Sequence, residues 1–223
     1  MKSVILAGNA VTAEILYAYL QQDSRYKVVA TVVDDAFVES ASVTEVPALA
    51  LSNLPASYSV ADVSVIMASG YNDLNRVRES MFTRIRGAGY AIETYVHPDA
   101  RVYTRRTLGE GCIVLPGAVI EPNVQIGANT LVWCNTTLAH HCAVADHCWI
   151  ASGAVISGKA TVSRNTFVGV NATVVNNITI GEYNVIGGGA LMTKDTKANT
   201  VHLARSAEPW RFTAEDYAKY FGV

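Results

Sequence analysis

The chain has 223 residues, enough for one or two domains with an ample core, and half of them are hydrophobic. Its formal charge is -2 and it has no basic run, which excludes the electrostatic footprint of a nucleic-acid or anionic-lipid binder. The N-terminal MKSVILAGNA carries one lysine and an apolar run too short for a membrane span. It enters a glycine turn, so it reads as a strand rather than a signal peptide, and the cytoplasm is the expected compartment.

The first 95 residues alternate strand and helix patterns. Ser3 to Ala7 predicts a buried strand, followed by Gly8-Asn9-Ala10-Val11-Thr12-Ala13, a relaxed G-x-A-x-x-A turn that opens a helix running to about Gln22. This turn suits a phosphate group or simply a tight packing turn. A second strand, Val28 to Val33, ends in Asp34-Asp35, where acids can hydrogen-bond a ribose or base. A third, Val63 to Met67, leads through Ser69-Gly70-Tyr71-Asn72 into an amphipathic helix to about Arg86. The expected unit is a small Rossmann-like α/β domain with about four parallel strands. It is too short for two dinucleotide-binding halves, so a mononucleotide or nucleotide sugar suits it better.

From Val96 to Met192 every sixth residue is aliphatic, seventeen times without a break. Four residues after each aliphatic stands a mostly small side chain, among them Cys112, Ala118, Thr130, Cys142, Cys148, Ala154 and Ala190. The column just before the small one, from Gly117 to Asn123 and on to Gly189, is Gly or Asn at nine of thirteen places, with His141 and His147 among the rest. These residue types accept positive φ most cheaply, so they predict corners between short strands. GAVISGKA at 153–160 nearly spells a phosphate loop, but Ala160 replaces the required hydroxyl and the segment keeps the six-residue register. Cys112, Cys142 and Cys148 fall in the interior column and only Cys134 stands outside it; no C-x-x-C spacing suggests zinc.

The striped segment contains one histidine cluster, His140-His141-Cys142 with His147 beyond. His141 and His147 occupy corner positions, while His140 lies one place earlier and should project outward, free for proton transfer. Positions 18 and 36 residues away from His140 and His141 hold no histidine or carboxylate, which argues against a metal stacked across coils.

Together, the N-terminal unit, the Tyr95-to-Ala100 linker, the unbroken hexads with their H-H-C centre and the Gly187-to-Asp195 exit resemble one family. It is that of the sialic acid O-acetyltransferase-like, hexapeptide-repeat sugar acyltransferases, which includes N-acetyltransferases of nucleotide-linked 4-amino-4,6-dideoxy sugars serving bacterial surface glycans and glycoproteins. The resemblance implies an α/β domain over residues 1–95, a left-handed parallel β-helix over 96–195 and a tail over 196–223. It implies a homotrimer with acetyl-CoA as co-substrate between adjacent β-helices, no metal, and a nucleotide-linked amino sugar as acceptor. By position, it puts the general base on His140 with His141 beside it. It puts acetyl-CoA around Trp149, Gly158, Val170 and Gly188, and the nucleotide sugar at Gly8, Asn9, Ala10, Val11, Thr12, Asp34, Asp35 and Gly70. His141 stands where many relatives have an acid that orients the base, so the orienting partner is open between Asp146 and Glu121. An O-acyl product, a metal-dependent β-helix hydrolyase and a non-catalytic nucleotide-sensing trimer are the alternatives. Thr213-Ala214-Glu215-Asp216 predicts a capped helix whose aromatic residues, with Trp210 and Phe212, would cover the last coil.

Overall fold

The computed structural model describes residues 1–38 and 44–222. The N-terminal unit comprises β1 (Lys2–Ala7), α1 (Val11–Gln21), β2 (Tyr26–Val33), β3 (Ala48–Ala50), α2 (Leu54–Ser57), β4 (Ser64–Met67) and α3 (Arg76–Gly87). Its four strands are parallel in the order β3-β2-β1-β4. The residues Val4 to Ala7 and Val65 to Met67 are fully buried, as strands covered on both faces must be.

From Tyr95 the chain winds into a left-handed β-helix. Every rung of the main stack pairs with the one 18 residues on, as in Leu131 with Trp149 and Leu138 with Ile156. Three six-residue sides therefore make one coil. The ladder covers only two residues per side, and the rest of each hexad is turn, a shorter strand than the pattern suggests. Three faces result. Face I carries Ile113, Leu131, Trp149, Phe167 and Val185; face II carries Val119, Thr137, Val155, Thr173 and Leu191; face III carries Gln125, Ala143, Thr161 and Thr179.

All thirteen corner residues from Gly117 to Gly189 have φ between 52 and 72°. The aliphatic column from Val114 to Met192 is buried with the small column behind it; burial of each such aliphatic side chain is worth about 1.5–3 kcal/mol. Interior hydroxyls are satisfied 15 residues ahead: Thr130 Oγ1 donates to Ala145 O at 2.8 Å and Thr166 Oγ1 to Gly181 O at 3.0 Å. Cysteines follow the same rule, Cys112 Sγ donating to Gly127 O at 2.9 Å and Cys148 Sγ to Ser163 O at 3.1 Å. Burial pushes the thiols up, Cys112 to about 11 and Cys142 and Cys148 to about 12, so they are structural groups at neutral pH. The 153–160 segment lies inside this ladder, with Gly153 and Lys159 as corners.

The two units share a core in which β1, α1 and Tyr95 pack on face I around Leu131 and Trp149. Arg78 of α3 is fully buried at this junction. Its guanidinium donates to Asn129 O at 2.6 Å, Cys148 O at 3.1 Å and Asn75 Oδ1 at 3.3 Å. Burial lowers its pKa to about 10, which leaves it charged at neutral pH. Beside it, Glu79 accepts from Arg164 at 2.5 Å and Asn165 at 2.8 Å, so α3 is fastened to the edge between faces I and III.

The stack ends irregularly. Val201–His202 pairs with Val185–Ile186 at a spacing of 16 residues rather than 18. Buried Asn184 fills the gap, donating to Gly181 O and Lys197 O and accepting from Thr200 N. The tail forms α4 (Ala214–Phe221), with Thr213 accepting from Asp216 N as the capping box predicts. The expected covering of the last coil is not what the chain does: Trp210 is 67% exposed, and α4 buries none of its residues. Its rings pair within the tail instead, Phe212 with Tyr220 and Tyr217 with Phe221. Among the described residues no helix is long and apolar enough to cross a membrane.

Candidate functional site

His140 and His141 sit at the edge between faces II and III, the edge opposite face I in a three-sided prism. The N-terminal unit covers face I, so these rings lie as far from their own α/β unit as the cross-section allows. His140 and His141 are both exposed. Three contacts place His140. Its backbone N–H donates to Glu121 Oε2 at 2.7 Å, and its carbonyl accepts from Lys159 N at 3.1 Å. Its ring lies over Gly158, where a Cβ would stand 2.6 Å from Cε1 and 2.8 Å from Nε2.

The ring's own polar partner is His141, whose Nδ1 is 3.3 Å from His140 Nδ1. His141 Nε2 in turn meets Asn123 Nδ2 at 3.2 Å, one coil below. The two carboxylates expected to orient His140 are engaged elsewhere. Glu121 holds the backbone of His140, and Asp146 Oδ1 accepts from Ala128 N at 2.7 Å. The corner histidine, not an acid, therefore faces the ring.

His147 shares the cluster in sequence only. It stands on the edge fastened to α3, with Asn129 Nδ2 at 2.9 Å from its Nδ1 and Glu79 Oε1 at 3.6 Å from its Nε2. Burial pulls its pKa down, opposed by Glu79.

The residues assigned to acetyl-CoA separate into two groups. Gly158 underlies His140, while Val170 and Gly188 stack at the opposite edge of face II; Val170 is 52% exposed. Trp149 requires a correction. It is 4% exposed, sealed between Trp133, Tyr71 and the Arg78 guanidinium in the shared core, and has no ring face to give a ligand. Its column, Leu131-Trp149-Phe167 at 18-residue spacing, is the outward row of the covered face.

In the N-terminal unit, Gly8, Asn9, Ala10, Asp34 and Gly70 line a cavity of about 110 Å³ together with Ser69, Asn72 and Phe37. Asp34 and Asp35 border a second cavity, of about 450 Å³, with Ser52, Leu54, Arg84 and Tyr90. Asp34 is paired with Arg84. Asp35 accepts from Ser52 N at 3.1 Å, and the Ser52 contacts hold its carboxyl below the usual range. Thr12 and Val11 do not join them. Thr12 is buried on the inner side of α1 and Val11 is 65% exposed on its outer side. Gly8 is demanded by packing: at φ 146° its Cβ would stand 2.6 Å from Ala68 O. Arg84, Ser52 and Asn72 carried no motif, and only the fold brings them to these walls. No group of three His, Cys, Asp or Glu side chains among the described residues is arranged to hold a metal.

No family model and no curated protein matches this sequence. Solved structures do match. The acetyltransferase domain of PglB from Neisseria gonorrhoeae FA1090 superposes with a TM-score of 0.83 at 21% identity, over 94% of this chain and 100% of that one. PerB from Caulobacter crescentus, crystallised with CoA and GDP-perosamine, gives 0.80 at 24%, over 92% and 94%. WeeI from Acinetobacter baumannii AYE gives 0.78 at 18%, over 90% and 96%. The chain has the fold of the hexapeptide-repeat sugar acetyltransferases. The match runs through both units of this fold and not the β-helix alone.

Proposed function

We propose that this chain is an acetyl-CoA-dependent N-acetyltransferase for the 4-amino group of a nucleotide-linked amino-deoxy sugar. It would act as a cytoplasmic homotrimer in bacterial surface glycan or glycoprotein synthesis, with His140 as general base. The observation that carries this reading is the exposed, backbone-anchored imidazole of His140 on an otherwise regular prism whose attached α/β unit holds a cavity at a nucleotide-type turn. The neighbours crystallised with acetyl-CoA, or with CoA and GDP-perosamine, share this arrangement of units.

In this reading the amine attacks the thioester carbonyl as the free base. His140 Nε2 takes the proton that the nitrogen sheds, the C–S bond breaks, and the CoA thiolate is protonated as it leaves. A neutral imidazole suits this step near pH 7 and contributes about 10²–10⁴-fold. Because His140 lies opposite its own α/β unit, the sugar cavity would come from a neighbouring subunit, and Val170 and Gly188 would guide CoA along face II. Cys134 is a poor acyl carrier. Its thiol is 3.6 Å from the Tyr19 hydroxyl, and that contact pushes the phenol up, away from any role as a base.

The test is thiol release from acetyl-CoA with UDP-, GDP- and dTDP-linked 4-amino-4,6-dideoxy sugars, comparing native protein with His140→Ala. Turnover with one sugar that is lost in the variant supports the reading. Undiminished turnover in the variant removes His140, and no turnover with any sugar removes the acceptor class.

A further inference from the structure

A neutral imidazole has one N–H and one lone pair, so a base is useful only in one tautomer. Here the tautomer of His140 is tied to two residues behind it. Asn123, His141 and His140 form a file: Asn123 Nδ2 is 3.2 Å from His141 Nε2, and His141 Nδ1 is 3.3 Å from His140 Nδ1. A side-chain amide has a donor at one end and an acceptor at the other, and its two orientations are geometrically nearly equivalent.

The two orientations have opposite consequences. With Nδ2 toward His141, the orientation seen in this structure, the amide donates to Nε2; the His141 proton then sits on Nδ1 and is given to His140 Nδ1. His140 keeps its own proton on Nε2 and faces outward as a donor. With Oδ1 toward His141, the amide accepts Nε2–H; His141 Nδ1 is then a lone pair that accepts from His140 Nδ1–H. His140 Nε2 is left bare, able to take a proton. Resting on the acetyltransfer reading above, we infer that Asn123 is a positioning residue that acts through His141 and selects, by the end of its amide it presents, whether His140 is a base.

Two further observations support a dedicated file. Glu121 engages the backbone N–H of His140, so its carboxylate is not the group that sets the ring's proton. Gly158 lets the ring pack directly against the next coil, since a Cβ there would stand 2.6 Å from His140 Cε1 and 3.2 Å from Nδ1. The corner geometry also constrains what can stand at 123, because φ there is 65° and Asn, Asp and Gly tolerate it best.

That tolerance supplies the experiment. Asn123→Gly keeps the backbone and removes the amide; Asn123→Asp keeps the backbone and offers acceptors only. In the intact protein, acetyl transfer should lose about tenfold in kcat with Asn123→Gly, with KM for both substrates within about twofold, while Asn123→Asp retains most of the native rate. In ¹⁵N-detected imidazole spectra, His140 should carry its proton on Nδ1 in Asn123→Asp and in native protein, where the amide must turn over from the orientation seen in this structure, and be mixed between nitrogens in Asn123→Gly. The inference is overturned if Asn123→Gly changes neither kcat nor the tautomer, or if Asp loses as much as Gly. The spectra decide it even if no nucleotide sugar is acetylated, which would sink the proposed function alone.

Discussion

Gly158 offers the sharpest test of how the ring of His140, the proposed base, is held. An alanine there would place Cβ at 2.6 Å from His140 Cε1, 2.8 Å from Nε2 and 3.2 Å from Nδ1, where ordinary contact begins near 3.4 Å. The obstacle is the end of an exposed side chain, and no positive φ is required of Gly158. The ring must therefore move by about 1 Å, at little cost to the fold, and a displacement of that size lowers a positioned reaction by up to about 10²-fold. The contrasting site is Gly127, where the same Cβ would meet Asp146 N at 2.5 Å and the carbonyl carbon of Ala145 at 2.6 Å. Backbone cannot step aside, so Gly127→Ala should unfold the coil. The assay pairs steady-state acetyl transfer with thermal unfolding. Gly158→Ala should keep its melting temperature within about 2 °C, lose kcat and leave KM for acetyl-CoA nearly unchanged. An intact kcat with a raised KM would refute the argument and assign Gly158 to CoA binding instead.

Removing the buried guanidinium by Arg78→Met should strand the carbonyls of Asn129 and Cys148 and cost about 3 kcal/mol in urea unfolding; an unchanged midpoint would show that the fastening is dispensable. His147 has a pKa lowered by burial, so the unfolded chain binds its proton more readily; the stability this contributes is full above the unfolded value and is lost as pH falls from there toward the folded one. His147→Asn, which tolerates the corner φ of 59°, should therefore flatten the loss of melting temperature between about pH 7 and pH 5, and an equal slope would contradict it. Gly8→Ala should cost about 1–3 kcal/mol through collision with the Ala68 carbonyl; denaturant unfolding measures it, and a neutral result would mean that the strand end relaxes. If the proposed trimer forms and each site spans two subunits, assemblies mixed from His140→Ala and Asp34→Ala chains should regain activity that neither has alone, and thiol release reads the difference.

Much of this architecture was legible because hexads report geometry directly. One slipped residue would have turned an interior aliphatic outward, so seventeen repeats in register leave little freedom. The corner column was equally readable, since positive φ selects a few residue types, although Lys159 and Tyr183 also adopt it when the coil above and below dictates. The short strand Ala48–Ala50 had too few residues to show a period. Arg78 was hidden by its type, yet its place gave a signal: with Met81, Phe82 and Ile85 it completes the buried stripe of α3. Trp149 went to the wrong partner because its column, read alone, looks like a surface row; only the docking of α1 and Tyr71 turns face I into a core. The His140 partner was missed because acids were sought, whereas the neighbouring corner histidine had the shorter path.

The 16-residue spacing at the end of the stack bears on solubility. A prism of parallel rungs is open at both ends, and each end offers unpaired backbone to another molecule's first coil, the route by which head-to-tail contacts grow into fibres. A full 18-residue coil would present all three faces in phase for that addition. Here Val201–His202 arrives two residues early, and Asn184 spends its amide inside the gap with Gly181, Lys197 and Thr200. The terminal rung still stacks in register on face I, but the coil that leads to it is two residues short, so an incoming copy would not meet three faces at the 18-residue spacing of the column.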